Sequence, residues 1–291
     1  MRTTPLGPLE SIKAGSWTQS ATEYDSFEKR WHFYETVAER LVRELPIRSD
    51  SRVLELASGT GACTSILARL CPDGEVVGLE QSEGMIDVAK GNARSAGFNN
   101  VRFVQGDAGE VAAALRGESF DMAVCNSAFW HFPDGSGVLK ALRGLLRSPR
   151  LVGMSFPAWV SSSAERRAAH RAKLRELLLN HGVAAEEIER GLRESEARRT
   201  DLPELLQTSG YAIIKDVSFE FEFAAEGRQQ WRAIPVFSSS PRSRSPLLSK
   251  LDPSVAAEVR VEMAEWRRQS LPPGPATSRW RILVAEVGES S

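Results

Sequence analysis

The sequence predicts an α/β fold built on a doubly wound parallel sheet, on three observations. Five apolar segments between residues 52 and 156 read as buried strands, helical segments separate them, and the first strand runs into a glycine-containing turn. Strands that alternate with helices in this way mark βαβ units.

The elements follow in order. Residues 1–20 are rich in Pro, Gly, Ser and Thr and read as a mobile arm. Tyr24, Phe27, Trp31, Tyr34, Ala38, Leu41 and Leu45 then recur every three or four positions, as on one helix face. Pro46 ends that helix. The strands are Arg52–Ala57, Glu75–Glu80, Val101–Asp107, Phe120–Asn126 and Arg150–Phe156, with helices near 61–71, 83–96, 109–116 and 135–147. After Pro157 the alternation stops. Residues 163–199 are charged and helical with a break at Asn180-His181-Gly182, a pair of amphipathic helices with solvated outer faces. Asp201–Ser209 reads as a short capped helix and Tyr211–Phe223 as a long strand. Residues 226–270 are mostly helical, interrupted by a serine-rich flexible loop at 238–246, and Arg279–Val287 closes as a strand. Four regions result: 1–46, an arm with lid helices; 47–156, a ligand-binding core; 157–200, a helical insertion; and 201–291, the rest of the sheet with a second insertion over about 224–277.

Composition narrows the function. With 291 residues, 42% hydrophobic and 26% charged, the chain is neither collagen-like, disordered nor a disulfide scaffold. Its 37 Lys and Arg against 38 Asp and Glu leave a net charge of −1, without the basic excess of a nucleic-acid coat. No apolar run approaches the roughly 18–20 residues of a membrane span. The first eight residues lack the apolar stretch of a signal peptide. Cys63, Cys71 and Cys125 are odd in number and form no CxxC pair. That argues against a disulfide framework or a zinc site and fits a reducing cytoplasm. Without HxxxH, CxxC or clustered carboxylates, no metal is expected.

The chemistry centres on the first turn, Glu55-Leu-Ala-Ser-Gly-Thr-Gly61. Gly59 and Gly61 let the backbone turn tightly and approach a ligand. The next helix offers free N–H groups and a partial positive charge. Nineteen positions on, Glu80 ends the second strand, where a carboxylate can accept from both hydroxyls of a ribose. Asp107 ends the third and can accept from an adenine amino group. Together they define a crevice for an adenosine ligand. The nicotinamide fingerprint G-x-G-x-x-G/A is incomplete, because Thr64 holds its last position.

Glu55–Gly61, Gly78–Met85, Gly106-Asp107-Ala108 and Phe120–Asn126, in this order and spacing, resemble the class I S-adenosylmethionine-dependent methyltransferases. The resemblance covers about residues 50–156 and implies a Rossmann-like sheet with S-adenosylmethionine as donor. It places Glu55, Ala57, Ser58, Gly59 and Gly61 around the methionine portion and Glu80 on the ribose. It sets Gln81 and Met85 against the adenine, Asp107 and Ala108 at its edge, and Asn126 and Ser127 under the sulfonium. Ala57 departs from the family, which often has glycine there; its carbonyl still serves as an acceptor.

Two groups are candidates for the reaction itself. Aromatic residues crowd the segment Trp17–Tyr34, and in similar enzymes an N-terminal helix closes over the donor. Tyr24 is the candidate lid residue, although the stripe also reads as core packing. His131, in Phe129-Trp130-His131-Phe132, reads either as a proton acceptor or as a structural histidine. His32, His170 and His181 read as solvated, and Cys125 as either a pocket wall or inert packing. Asn126-Ser-Ala-Phe129 is not the Asn-Pro-Pro-Tyr pattern that accompanies methylation of exocyclic amines or glutamine. The N-terminal helices and both insertions are expected to gather as a lid over a small molecule.

The expected function is methyl transfer to a small-molecule acceptor, specialised metabolites among the candidates, in the cytoplasm. Two alternatives stand beside it: other sulfonium chemistry, such as cyclisation or alkyl transfer, and a non-catalytic donor-binding protein. No nucleic acid, membrane or metal enters this reading. The acceptor, the atom attacked and the oligomeric state are open at this level.

Overall fold

The computed structural model describes residues 14–158, 164–197, 201–238, 247–248, 251–269 and 276–287. Residues 1–13 of the arm and 239–246 of the serine-rich loop lie outside the described residues. Two helices, α1 (Ala14–Trp31) and α2 (Phe33–Arg43), precede the sheet. The core runs β1 (Arg52–Leu56), α3 (Ala62–Leu70), β2 (Glu75–Glu80), α4 (Glu83–Ser95), β3 (Val101–Gln105), α5 (Val111–Ala114), β4 (Phe120–Asn126), α6 (Gly135–Leu145) and β5 (Leu146–Pro157). Then come α7 (Ala164–Asn180), α8 (Ala185–Ala197), α9 (Leu202–Thr208), β6 (Tyr211–Phe223), α10 (Ala225–Ala233), α11 (Pro235–Ser238), α12 (Pro253–Gln269) and β7 (Ala276–Val287).

The seven strands form one sheet in the order β3-β2-β1-β4-β5-β7-β6. β1 to β5 are parallel, and β7 runs antiparallel between β5 and β6. Period-two alternation assigns the side chains to two faces. Leu54, Leu56, Val77 and Leu79 pack with α5, α6 and α9 on one side, around Val111, Leu142 and Leu206. Val53, Val76, Met122 and Val124 meet α2 and α3 on the other, around Leu41 and Leu67. Both faces are covered, as a parallel sheet requires. α7, α8 and α12 close a separate apolar core from Leu174, Leu177, Leu178, Ile188, Leu247, Leu248, Val259 and Met263.

The N-terminal region departs from expectation in two ways. Helix begins at Ala14, within the stretch read as a mobile arm. The aromatic stripe also spans two helices rather than one. His32 adopts the left-handed conformation (φ 49°) between them, and the buried Glu28 carboxylate accepts the N–H groups of Tyr34 and Glu35 at the start of α2. Two satisfied N–H donors stabilise this break.

The break at Asn180–Gly182 stands between α7 and α8, but His181 is not solvated. Its side chain is 18% exposed and sits between the Glu258 and Glu262 carboxylates of α12. Asp201 caps α9 by accepting from the Glu204 N–H.

Candidate functional site

Parallel register brings the carboxyl ends of β1 to β4 to one edge. Leu56 lies beside Leu79, Glu80 beside Gln105 and Asn126 beside Ser155. Past these ends the chain must turn, and a cleft opens there. Ala57 and Gly59 from the β1 turn form its floor. Leu79, Glu80, Gln81 and Met85 come from β2 and α4, and Gly106, Asp107 and Ala108 from the end of β3. Asn126, Ser127, Ala128, His131, Phe132 and Pro133 follow β4, and Trp17 and Tyr24 descend from α1.

The β1 turn is bent by three left-handed residues: Ala57 (φ 53°), Gly59 (φ 56°) and Gly61 (φ 89°). Glycine adopts this conformation freely, whereas alanine at 57 carries a cost of about 1–2 kcal/mol. The bend carries the Gly59 N–H to Glu80 Oε2 at 3.1 Å, while Glu80 Oε1 accepts from the Ser82 N–H at 2.9 Å. Each oxygen keeps a second acceptor site, so the carboxylate is fixed in place and can still receive two hydroxyls. Burial raises its pKa against the pull of these N–H groups. Asp107 caps the turn after β3 through the Gly109 N–H at 2.7 Å.

At the end of β4, Asn126 Nδ2 donates to the Tyr34 carbonyl at 3.1 Å, and its Oδ1 accepts from Ser155 Oγ at 2.6 Å. Ser127 is also left-handed (φ 62°). Its N–H donates to Ser155 Oγ at 3.0 Å. These bonds make the end of β4 a rigid platform.

Aromatic rings form the other wall. Trp17 stands edge-on to Tyr24, His131 and Phe237, with centroids 6.1, 6.2 and 5.8 Å away. Tyr24 stacks on Tyr34 at 5.4 Å, and Trp231 stacks on Phe237 and donates to the Tyr34 hydroxyl at 2.9 Å. Burial, with Tyr34, Glu28 and Glu80 nearby, raises the Tyr24 pKa well above 10.0. Tyr24 is therefore a hydroxyl donor at neutral pH and not a base. α1 is fixed above the cleft by Thr18 to Ser82 at 2.9 Å and by Asn92, which donates to Asp25 at 2.8 Å and to the Thr60 carbonyl at 3.0 Å.

Nine of the donor-site residues read from the sequence line this one cleft: Ala57, Gly59, Glu80, Gln81, Met85, Asp107, Ala108, Asn126 and Ser127. Tyr24 and His131 line it too. Glu55, Ser58 and Gly61 stand behind it. Glu55 is buried and accepts from Thr64 Oγ1, and burial pushes its pKa up to about 8. The Ser58 hydroxyl is buried toward Gly78, where an added Cβ would lie 2.9 Å away. Gly61 caps α3 against Ala89. Cys125 is buried in the core, with its thiol pKa raised by burial. Trp17, Leu79, Gly106, Ala128, Phe132 and Pro133 also line the cleft, without a site role in the sequence reading. The aromatic crowding at 17–34 was the one signal for Trp17. Among the described residues no group of His, Cys, Asp and Glu is arranged to hold a metal.

Comparison with known proteins settles the family. Residues 47–233, more than half of the chain, match the family described as Methyltransferase domain. The chain belongs to the S-adenosylmethionine-dependent methyltransferase family. It is 36% identical over 95 residues to release factor glutamine methyltransferase of Xylella fastidiosa, covering 33% of this chain and 34% of that protein. It is 31% identical over 114 residues to demethylmenaquinone methyltransferase of Staphylococcus aureus, covering 39% and 46%. These matches thus span less than half of either relative. Among solved structures, YjhP of Escherichia coli superposes with a TM-score of 0.55 at 22% identity, covering 94% of this chain and 99% of that one. BH2331 of Bacillus halodurans gives 0.55 at 16% identity, covering 87% and 100%. Both likenesses are of fold. In this chain, the matched segment begins just before β1 and ends with α10.

Proposed function

We propose that this chain transfers the methyl group of S-adenosylmethionine to a small-molecule acceptor. One observation carries the reading: Glu80, Asp107 and the β1 turn converge on one cleft whose other wall is a set of aromatic rings brought over it by α1. The first group suits an adenosine and the second an organic acceptor. The acceptor nucleophile attacks the methyl carbon, the carbon–sulfur bond breaks, and its electron pair stays on sulfur as a neutral thioether. No acid is needed for that leaving group, so positioning and exclusion of water supply the catalysis. The acceptor's proton goes to His131, because Tyr24 is held protonated.

α1 and α2 act as the lid in this reading. The described residues of α10 and α11 support α1 from behind, where the Val236 N–H donates to Ser20 Oγ at 2.9 Å. Among the described residues, α7, α8 and α12 do not line the cleft. The sequence after β4 lacks Asn-Pro-Pro-Tyr and the chain lacks a basic excess, which favours a small acceptor over a protein glutamine or a nucleic acid. No helix among the described residues is long and apolar enough to cross a membrane, and unpaired buried cysteines fit a reducing, cytoplasmic setting.

The test is the fate of the donor. Incubated with S-adenosylmethionine and a cell metabolite extract, the protein should yield S-adenosylhomocysteine and a product 14 mass units heavier than its precursor. Methylthioadenosine instead would assign other sulfonium chemistry, and an unconsumed but bound donor would leave a binding protein.

A further inference from the structure

The acceptor side of the cleft has a chemistry of its own, and we infer that it takes a flat, uncharged aromatic molecule. This inference rests on the methyl-transfer reading above, since it concerns the compartment left once the donor is seated.

Charge is the first argument. Among the described residues that line the cleft there is no lysine or arginine. Its two carboxylates, Glu80 and Asp107, stand at the ends of β2 and β3, on the donor side. Among those residues a carboxylate, phosphate or sulfate on the acceptor would meet no lysine or arginine, and an ammonium on that side no carboxylate. Either is disfavoured strongly by lost hydration. Glu28, which lies below Tyr24, does not supply the missing anion. It is buried and does not line the cleft.

Shape is the second. One wall is Trp17 and Tyr24 on α1; the other is His131, Phe132 and Pro133 after β4. Trp17 already touches His131, with the ring centroids 6.2 Å apart and the planes at 79°. A guest must part these walls. A flat ring asks for the least parting, about 3.5–4.0 Å to each neighbouring surface, and recovers ring–ring attraction on entry. A globular aliphatic molecule of equal mass needs a wider gap, which the Thr18–Ser82 and Asp25–Asn92 bonds of α1 resist.

The test uses the full chain loaded with S-adenosylhomocysteine and three probes, followed by calorimetry. The probes are 1-naphthol (flat, neutral), 1-naphthoate (flat, anionic) and menthol (neutral, not flat). Naphthol should bind roughly tenfold tighter than naphthoate, given the unpaired carboxylate. It should bind roughly fivefold tighter than menthol, given the lost stacking. Trp17→Ala should weaken naphthol, and Trp17→Phe should recover most of the loss. Naphthoate or menthol binding as tightly as naphthol would overturn the inference, as would naphthol failing to bind the loaded protein. The loading titration reads the donor separately: if S-adenosylhomocysteine itself does not bind, the methyl-transfer reading fails, whereas a loaded protein indifferent to ring and charge sinks only the acceptor class.

Discussion

The Glu28 carboxylate reaches from α1 across the break at His32 and accepts the Tyr34 N–H at 3.0 Å. Tyr34 in turn gives its carbonyl to Asn126 and its ring to Tyr24. One buried acid thus joins the lid helix, α2 and the end of β4.

Burial raises the Glu28 pKa from 4.5 to about 7, outweighing its two N–H partners. The folded state therefore holds this proton more tightly than the unfolded one. The associated stability is fully present below pH 4.5 and is lost as pH rises to about 7. At about 1.4 kcal/mol per pKa unit, the change is on the order of 3 kcal/mol. Glu55 acts in the same direction toward pH 8, so the comparison must be between parent and Glu28→Gln. Urea unfolding at pH 5 and pH 7.5 should show a steeper fall for the parent than for the variant. Equal slopes would mean that Glu28 does not titrate in this window.

Glu80→Ala should weaken S-adenosylmethionine by tenfold or more. Two ribose hydroxyls lose a charged acceptor, at roughly 1.5–3 kcal/mol each. The Gly59 and Ser82 N–H groups also lose theirs, which loosens the β1 turn. Calorimetry giving the parent affinity would remove Glu80 from the ribose.

Gly84→Ala probes the seat of α1. The new Cβ would lie 2.8 Å from the Thr18 carbonyl oxygen, a backbone atom that cannot swing aside. Alanine gains up to about 1 kcal/mol of helix propensity over glycine, and overpacking costs about 1–3. The expected result is a slightly lower melting temperature with a clear loss of turnover, as α1 lifts from α4. Parent turnover would show that the contact of α1 with α4 is not needed for the reaction.

Tyr24→Ala should cut turnover at least tenfold, by opening the lid and admitting water, with a smaller effect on melting temperature. Tyr24→Phe keeps the ring stacked on Tyr34 and should keep most activity. Because Tyr24 stays protonated, any limb of the rate profile near neutral pH should persist in Tyr24→Phe, whereas His131→Asn should slow turnover itself. A limb that disappears with the Tyr24 hydroxyl would reverse the two roles.

The sheet was legible because its signals are local. β2, β4 and β6 keep the bounds read from their residues, since apolar runs and terminal turns mark them directly. The donor site was legible for the same reason: Glu80 and Asn126 close β2 and β4, Ala57 and Asp107 follow shortly after β1 and β3, and parallel register does the rest. The helix break at His32 was not, because the aromatic period continues through it and its cause is the carboxylate of Glu28, acting on N–H groups six and seven residues on. The start of α1 was hidden by a helix-poor composition that packing on α4 overrides. Trp17 became a site residue only through that packing. β7 starts before its sequence bound because antiparallel pairing with β6 continues to Ala276, and β5 starts early where Leu146 pairs in parallel with Phe120.

The lobe of α7, α8 and α12 closes its apolar contacts upon itself, around Leu178, Ile188 and Val259. Its apolar cohesion is thus largely its own. Substitutions among these apolar residues therefore leave in place the contacts of β1 to β4, which belong to other cores.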